Sequence, residues 1–560
     1  MIPLRITGLS AILPDACDAS APNATPRPAS ADAGPAQSPS RPVAHAPIMT
    51  ATGFTLLDGI IVVLYLIGTT MLGVWLGRGQ QSARDYFVAG DRIPWWAVLF
   101  SVVATETSAL TFISIPGLAY IGNLGFLQVA MGYVVGRIIV SFVLLPRYYQ
   151  GELVTAYALL ERRFGSATRR FASITFMVTR TFGDSVRLFA TAIPVGLLIG
   201  PLVAPEYVGP LSILILGACT VVYTYQGGMR AVIWTDVIQI GVYMGGGIAA
   251  LLIVGSDVIG GWSQIFTDAS VRGQLKVFDL YTGFDRPHTL WAGVIGGAFL
   301  SMASHGVDQM IVQRLLATGN LKLARRALIG SGFVVFAQFT MFLIIGVGLY
   351  AFYGGEAFPR PDAIFPRFIV EVMPPGLTGI VIAAILAAAM STISSSINSL
   401  AAASVHDLYL PITGRKIDDP SLLRTSKRFT LLWAAILVGG ALLYRNEGTP
   451  VVTIALSIAS FTYGGLLGAF FLGIIVARAR QFDAILGMSV GISIMSVVVF
   501  ATQLSTWFPA VAPLLAPVRG IAWPWFVLIG TTLTFGTGLI SSLFSSASPP
   551  RDASASESAV

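Results

Sequence analysis

Thirteen stretches of this chain are apolar and long enough to cross a lipid bilayer, at roughly 54–77, 95–118, 124–147, 171–199, 208–226, 231–254, 290–316, 326–353, 376–406, 425–444, 450–477, 482–502 and 520–543. A hydrocarbon core about 30 Å thick takes about 20 apolar helical residues to span. Backbone groups inside it have no water to bond, so each segment must satisfy its own. The expected class is an all-α polytopic membrane protein with about thirteen transmembrane helices. Composition agrees, with 11% of residues charged against about 25% in soluble proteins.

The net charge of +7 is not a nucleic-acid signature, because Lys and Arg collect in alternate connections. With the N-terminus outside, the cytoplasmic connections hold Arg78, Arg147, Arg162, Arg163, Arg230, Arg314, Lys322, Lys416, Arg428, Arg480 and their neighbours. The opposite loops hold only Arg272, Lys276, Arg286, Arg360, Arg367, Arg445 and Arg519, a bias of about three to one. That bias predicts a multi-pass plasma-membrane or bacterial inner-membrane protein with its N-terminus outside and its C-terminus in the cytoplasm.

Residues 1–50, rich in Ala, Pro, Ser and Asp, read as a disordered tail, and Met49 just before the first apolar segment is a candidate start. Residues 51–545 form the transmembrane domain and 546–560 a second disordered tail. The longest connections, 255–289 and 353–375, are expected outside the membrane as short lid-like helices. Cys17 and Cys219 offer neither a disulfide framework nor a metal cluster. The sequence has no GxxxxGK[ST] loop to draw on ATP, and the helices carry no paired-carboxylate, nucleophile–His or HExxH constellation of an enzyme.

The ninth segment is aliphatic for its first half and then carries Ser391, Thr392, Ser394, Ser395, Ser396, Asn398 and Ser399. One hydroxyl can bond back to its own helix. So many at bilayer depth call for a cavity, a neighbouring helix or an ion. On a 3.6-residue helix Ala388, Ser391, Thr392 and Ser395 share one face. Oxygens without His, Cys or carboxylate suit a hard, weakly held cation such as Na+.

The second segment is interrupted by Thr105, Glu106, Thr107, Ser108 and Thr111, followed by Pro116 and Gly117. An unwound stretch here would free carbonyl oxygens for a cation and aim helix ends at a ligand. The alternative is ordinary small-residue packing between membrane helices. Ionisable groups at bilayer depth are few, and each is a functional hypothesis. They are Glu106, Arg137, Arg180, Asp184, Arg187, Asp236 and Asp308.

The stretches DYFVAGDRIPWWAVLFSVVATETSALTFISIPGLAY (85–120), TAYALLERRFG (155–165), GGMRAVIWTDVIQ (227–239), DQMIVQRLLA (308–317) and AAAMSTISSSINSLAAASVHDLY (387–409) together resemble the sodium:solute symporters, over about Leu56 to Phe535. The resemblance implies a LeuT-type fold, with a core of two inverted repeats in segments 2–6 and 7–11 and extra helices at the ends. It also implies sodium-coupled symport of a small organic solute by alternating access. By motif, one sodium would be held by the carbonyls of Ala104, Thr107 and Ala388 and the hydroxyls of Ser391 and Thr392. Some members bind a second sodium, and the matching positions here are Ser391, Ser394, Ser395 and Asp236. Asp236 has two competing roles, as a way-station for departing sodium or as a helix-end cap.

The solute would sit beside the break at Thr105, Glu106 and Ser108, against Arg187, Ser301, Ser304, His305 and Phe461. Ser304 stands where sugar-carrying members place a gating Tyr, which argues against a sugar. Arg187 matches the arginine that pairs with the substrate carboxylate in sialic-acid members, which leans toward an organic anion. Two readings compete with this one. Arg180 and Arg187 could simply satisfy Asp184 along one helix, and Glu106 would suit an amino group. The expected partners are sodium, a small solute and the bilayer, with the monomer as the working unit. A neutral-solute symporter, a sodium-independent channel or uniporter, and a non-transporting sensor of the same fold are the rival readings.

Overall fold

The computed structural model describes residues 54–544 apart from 79–81, 90–92, 151–152, 201–202, 417–418, 420 and 445–450. Both expected tails and Met49 lie outside the described residues. Among the described residues every regular element is helical.

The principal helices are α1 (Leu56–Leu76), α2 (Trp95–Glu106), α3 (Ala109–Ile121), α4 (Leu127–Val143), α5 (Ser166–Ile199), α6 (Pro205–Asp257), α7 (Gly297–Gly306), α8 (Gln309–Leu316), α9 (Leu321–Phe352), α10 (Leu377–Ala403), α11 (Leu422–Leu443), α12 (Val451–Ile475), α13 (Gln481–Val499) and α14 (Trp525–Phe544). Each of the thirteen apolar segments falls on one of these, though several crossings are broken or fused. Among the described residues eight helices are by themselves long and apolar enough to span, or nine with the bent pair α2–α3 taken as one.

At 1.5 Å per residue the 53 residues of α6 would run about 80 Å, more than twice the apolar thickness. The run is two crossings that meet at Gly228, whose φ of 53° and ψ of −155° turn the chain back. That backbone conformation is open to glycine and hardly to other residues.

The second segment breaks as expected, but not at its proline. Thr107 (φ −74°, ψ 102°) and Ser108 (φ −97°, ψ 164°) are extended. The flanking helices are bent 63° from one another, and Pro116 lies inside α3. The seventh segment also breaks. It opens with a π turn, Ala292–Gly296, runs through α7, and parts at Val307 and Asp308 before α8. The Asp308 carboxylate accepts from the Met310 N–H at 2.8 Å and caps α8. The first helix of each expected repeat is therefore discontinuous.

Burial separates a core from its rim. The most apolar stretch of α10 is 94% buried and that of α1 only 17%. Helix α10 packs against α6, α5, α1 and α11, while α12, α13 and α14 pack together as a flanking trio. Leu56, Ile60, Leu64, Ile67, Met71 and Trp75 leave one face of α1 exposed, as expected of a lipid-facing helix. The long connections carry the short helices Gly261–Val271 and Ile364–Glu371.

Candidate functional site

The two breaks face one cavity of about 120 Å³. Its wall is built from Thr105, Glu106, Ser108 and Thr111 at the first break, and from Ser304, His305, Met310 and Ile311 at the second. Tyr133 of α4, Arg180 and Arg187 of α5, Phe339 of α9 and Tyr463 of α12 close it.

Three carboxylates meet three guanidiniums around this cavity, and only the pairing of Asp184 follows the along-helix expectation. Glu106 forms a buried ion pair with Arg137, whose other nitrogen donates to Ser331 at 3.0 Å. A carboxylate so engaged is not a free counter-charge for an amino group. His305 Nε2 lies 3.5 Å from Glu106, and its Nδ1 lies 2.8 Å from the Ser304 hydroxyl. Arg180 ties α5 to the second break and to α12. It donates to Asp308 at the second break and to the Tyr463 hydroxyl at 2.8 Å, and Tyr463 in turn donates to Asp308 at 2.6 Å. Its approach to Asp184 is looser, at 3.6 Å. Asp184 is held by Arg187 at 2.9 Å and by the Ser396 hydroxyl. Pairing along one helix thus occurs, and mostly through Arg187. Arg187 is nonetheless the most accessible of the three cations, with 21% of its side chain exposed. Its Nε has no hydrogen-bond partner among the described residues.

One expected solute contact is not on this wall. Ser301 turns away and donates to the Tyr133 carbonyl at 3.0 Å, because a buried hydroxyl takes the nearest backbone acceptor. The Phe461 side chain lies outside the described residues.

The hydroxyls of α10 are all buried. Ser391 donates to Asp236 at 2.6 Å, Thr392 to the Ala388 carbonyl at 3.1 Å, and Ser394 to the Ser391 carbonyl at 3.1 Å. The broken helix reaches this face, with the Thr105 and Ser395 hydroxyls 3.5 Å apart. Thr107 donates to Gln338 of α9 at 2.9 Å. The extended backbone at Thr107 and Ser108 takes the Ala104 carbonyl out of the regular ladder, leaving an oxygen for other use. Oxygen donors predominate, and among the described residues no group of three His, Cys, Asp or Glu could hold a metal ion. That donor chemistry fits sodium.

Arg314 is the residue the sequence reading misplaced. Counted there as a loop charge, it is fully buried. Its guanidinium lies 3.1 Å from Asp236, donates to Ser101 at 2.8 Å and also bonds the Ser395 hydroxyl. The set Asp236, Ser391 and Ser395 is therefore assembled around an arginine. Three apolar residues follow each other in the run before it (MIV, then LLA after it), a signal that Arg314 belongs to a packed helix. The second break could also have been read, since Gly306 followed by a capping Asp308 is a stop-and-start signal.

A buried helical bundle with two broken helices around a charged cavity defines a secondary transporter. The chain belongs to the sodium:solute symporter family, whose sequence model matches residues 86–491. It is similar to the sodium/sialic acid symporter NanT of Aliivibrio fischeri, 33% identical over 470 residues, covering 82% of this chain and 91% of that one. Human sodium-coupled monocarboxylate transporter 1 is 29% identical over 452 residues, covering 79% and 73%. A solved structure of a Na+-coupled sialic acid symporter, in a substrate-bound outward-open state, superposes with a TM-score of 0.76 at 27% identity, covering 89% of this chain and all of that one. The fold is LeuT-type, and the activity is sodium-coupled symport of a small organic solute across a membrane.

Proposed function

We propose that this symporter carries a small organic carboxylate, bound at Arg187 beside the first break, together with sodium held between α2 and α10. The observation that carries the reading is the state of Arg187, a partly accessible guanidinium on the cavity wall with Nε unbonded. A guanidinium offers a planar fork of donors that matches a carboxylate. Sialic acids and monocarboxylates, named for the two relatives above, both present that group.

Sodium would take the carbonyls of Ala104, Thr107 and Ala388 with the hydroxyls of Ser391 and Thr392. Binding there joins the broken helix to α10 and so orders the solute pocket. The ion shifts the conformational balance only through its different affinity for the two states. A second sodium at Asp236, Ser391, Ser394 and Ser395 requires Arg314 to withdraw, so these residues favour one ion per cycle. The basic-residue bias supports an N-terminus outside and a C-terminus in the cytoplasm, in a monomer embedded in the bilayer.

The charge balance of the cavity favours one second reading. Three guanidiniums against three carboxylates leave no net charge, which would accept a neutral solute. Purified protein in vesicles distinguishes the two. Arg187→Ala should abolish sodium-dependent uptake and binding of carboxylates while sodium binding remains measurable. Unchanged carboxylate uptake in that variant would leave the neutral-solute reading. Current measured during uptake also counts ions, since a monoanion with one sodium moves no net charge.

A further inference from the structure

Helix α1 lies outside the inverted-repeat core and is largely exposed, yet its one acidic or basic residue, Asp58, is completely buried. Asp58 lies in the first turn of α1, where it closes a capping box with Thr55, and its burial there requires further partners. Its Oδ1 accepts from the backbone N–H groups of Gly376 and Gly379, each at 2.7 Å. Its Oδ2 accepts from the Thr55 N–H at 2.9 Å and the Thr55 hydroxyl at 2.5 Å. Gly376 is the N-cap of α10 and offers no side chain for capping. The helix that carries the sodium hydroxyls is therefore capped by another helix, where its dipole favours a negative charge.

The two helices touch at this point. A Cβ built on Gly379 would lie 2.7 Å from the Asp58 Cα. Between Gly379 and Ser391 the chain has neither Gly nor Pro, so about 18 Å of unbroken helix connects the cap to the sodium hydroxyls. The other end of α1 reaches the same region by a second route. Gly73 packs on Tyr223 of α6, and the Tyr223 hydroxyl donates to the carbonyl of Met390, the residue before Ser391, at 3.0 Å.

We propose that Asp58 is a positioning residue for sodium, with α1 acting as a strut that sets the height of α10 against the broken helix. The inference rests on the sodium site proposed above, and its test separates the two. Sodium dependence of uptake is measured for D58N, D58A and S391A, with surface abundance, maximal rate and solute KM at saturating sodium. Asp58→Ala raises the sodium concentration for half-maximal uptake about tenfold, and Asp58→Asn by less, because its Oδ1 still accepts more weakly. Maximal rate and solute KM per molecule stay within twofold. A merely structural Asp58 would lower abundance or maximal rate and leave sodium half-saturation unmoved, which would overturn the inference. If S391A moves the sodium dependence and neither Asp58 variant does, the strut falls and the sodium site stands. If S391A has no effect, both fall. Should the Asp58 variants fail to reach the membrane, Gly379→Ala keeps the carboxylate and pushes the helices apart, and it should raise sodium half-saturation in the same way; no rise in that variant would equally overturn the strut.

Discussion

Replacing Arg314 with Met removes the guanidinium from Asp236 and keeps an apolar stem of similar length. In the native protein Asp236 is fully buried and has three partners: Arg314 at 3.1 Å, Ser101 at 2.5 Å and Ser391 at 2.6 Å. The variant retains both hydroxyl donors and loses the only counter-charge among these three. Breaking a buried pair by removing one partner costs about 3–5 kcal/mol. Sodium can replace that charge on Asp236, Ser391 and Ser395, and at a hundred times its dissociation constant it would restore about 2.7 kcal/mol. Thermal unfolding of solubilised protein in choline, potassium and sodium chloride at one ionic strength reads this directly. R314M should melt well below the native protein in choline and recover most of the deficit in sodium but not in potassium. Asp236→Asn, which strands Arg314 instead, should melt low in all three salts. An R314M protein as stable as the native one in choline, or rescued equally by potassium, would refute the reasoning.

Two further outcomes test neighbouring parts of the site. Ser391→Ala or Thr392→Ala should raise the sodium concentration for half-maximal uptake far more than Ser399→Ala, whose hydroxyl only bonds back to Ser396 at 3.1 Å; equal effects at all three positions would remove the sodium assignment. Glu106→Gln leaves Arg137, fully buried, without its counter-charge and should destabilise the protein by about 3–5 kcal/mol, read as a lower melting temperature in every salt. The double variant E106Q/R137M should regain most of that loss.

The structure has a common theme in these pairs. Charges that the sequence places on separate helices are neutralised between helices, around the cavity or beside the hydroxyl face of α10. Any conformational cycle that moves α2 or α8 against α5, α6 or α10 must exchange these partners. Arg180, bound to Asp308 at the second break and to Tyr463 of the flanking trio, is the clearest example.

Much of the molecule was legible in the chain alone, and for a local reason. Apolar length, the 3.6-residue periodicity that puts Ala388, Ser391, Thr392 and Ser395 on one face, and the polar run at Thr105–Ser108 are properties of neighbouring residues. They determined the class, the helical segments, the buried hydroxyl face of α10 and the position of the first break. Pairing is not local. Glu106 with Arg137, Arg180 with Asp308, Arg314 with Asp236 and Asp58 with the end of α10 are set by how helices cross, and hydropathy carries no information about crossings. Only the tertiary structure could show that Arg314 is a core cation rather than a loop charge, or that a largely exposed helix caps the start of the hydroxyl-rich α10. Burial supplies the physical reason, since a charge inside a membrane protein must find a partner, and the fold decides which one is within reach.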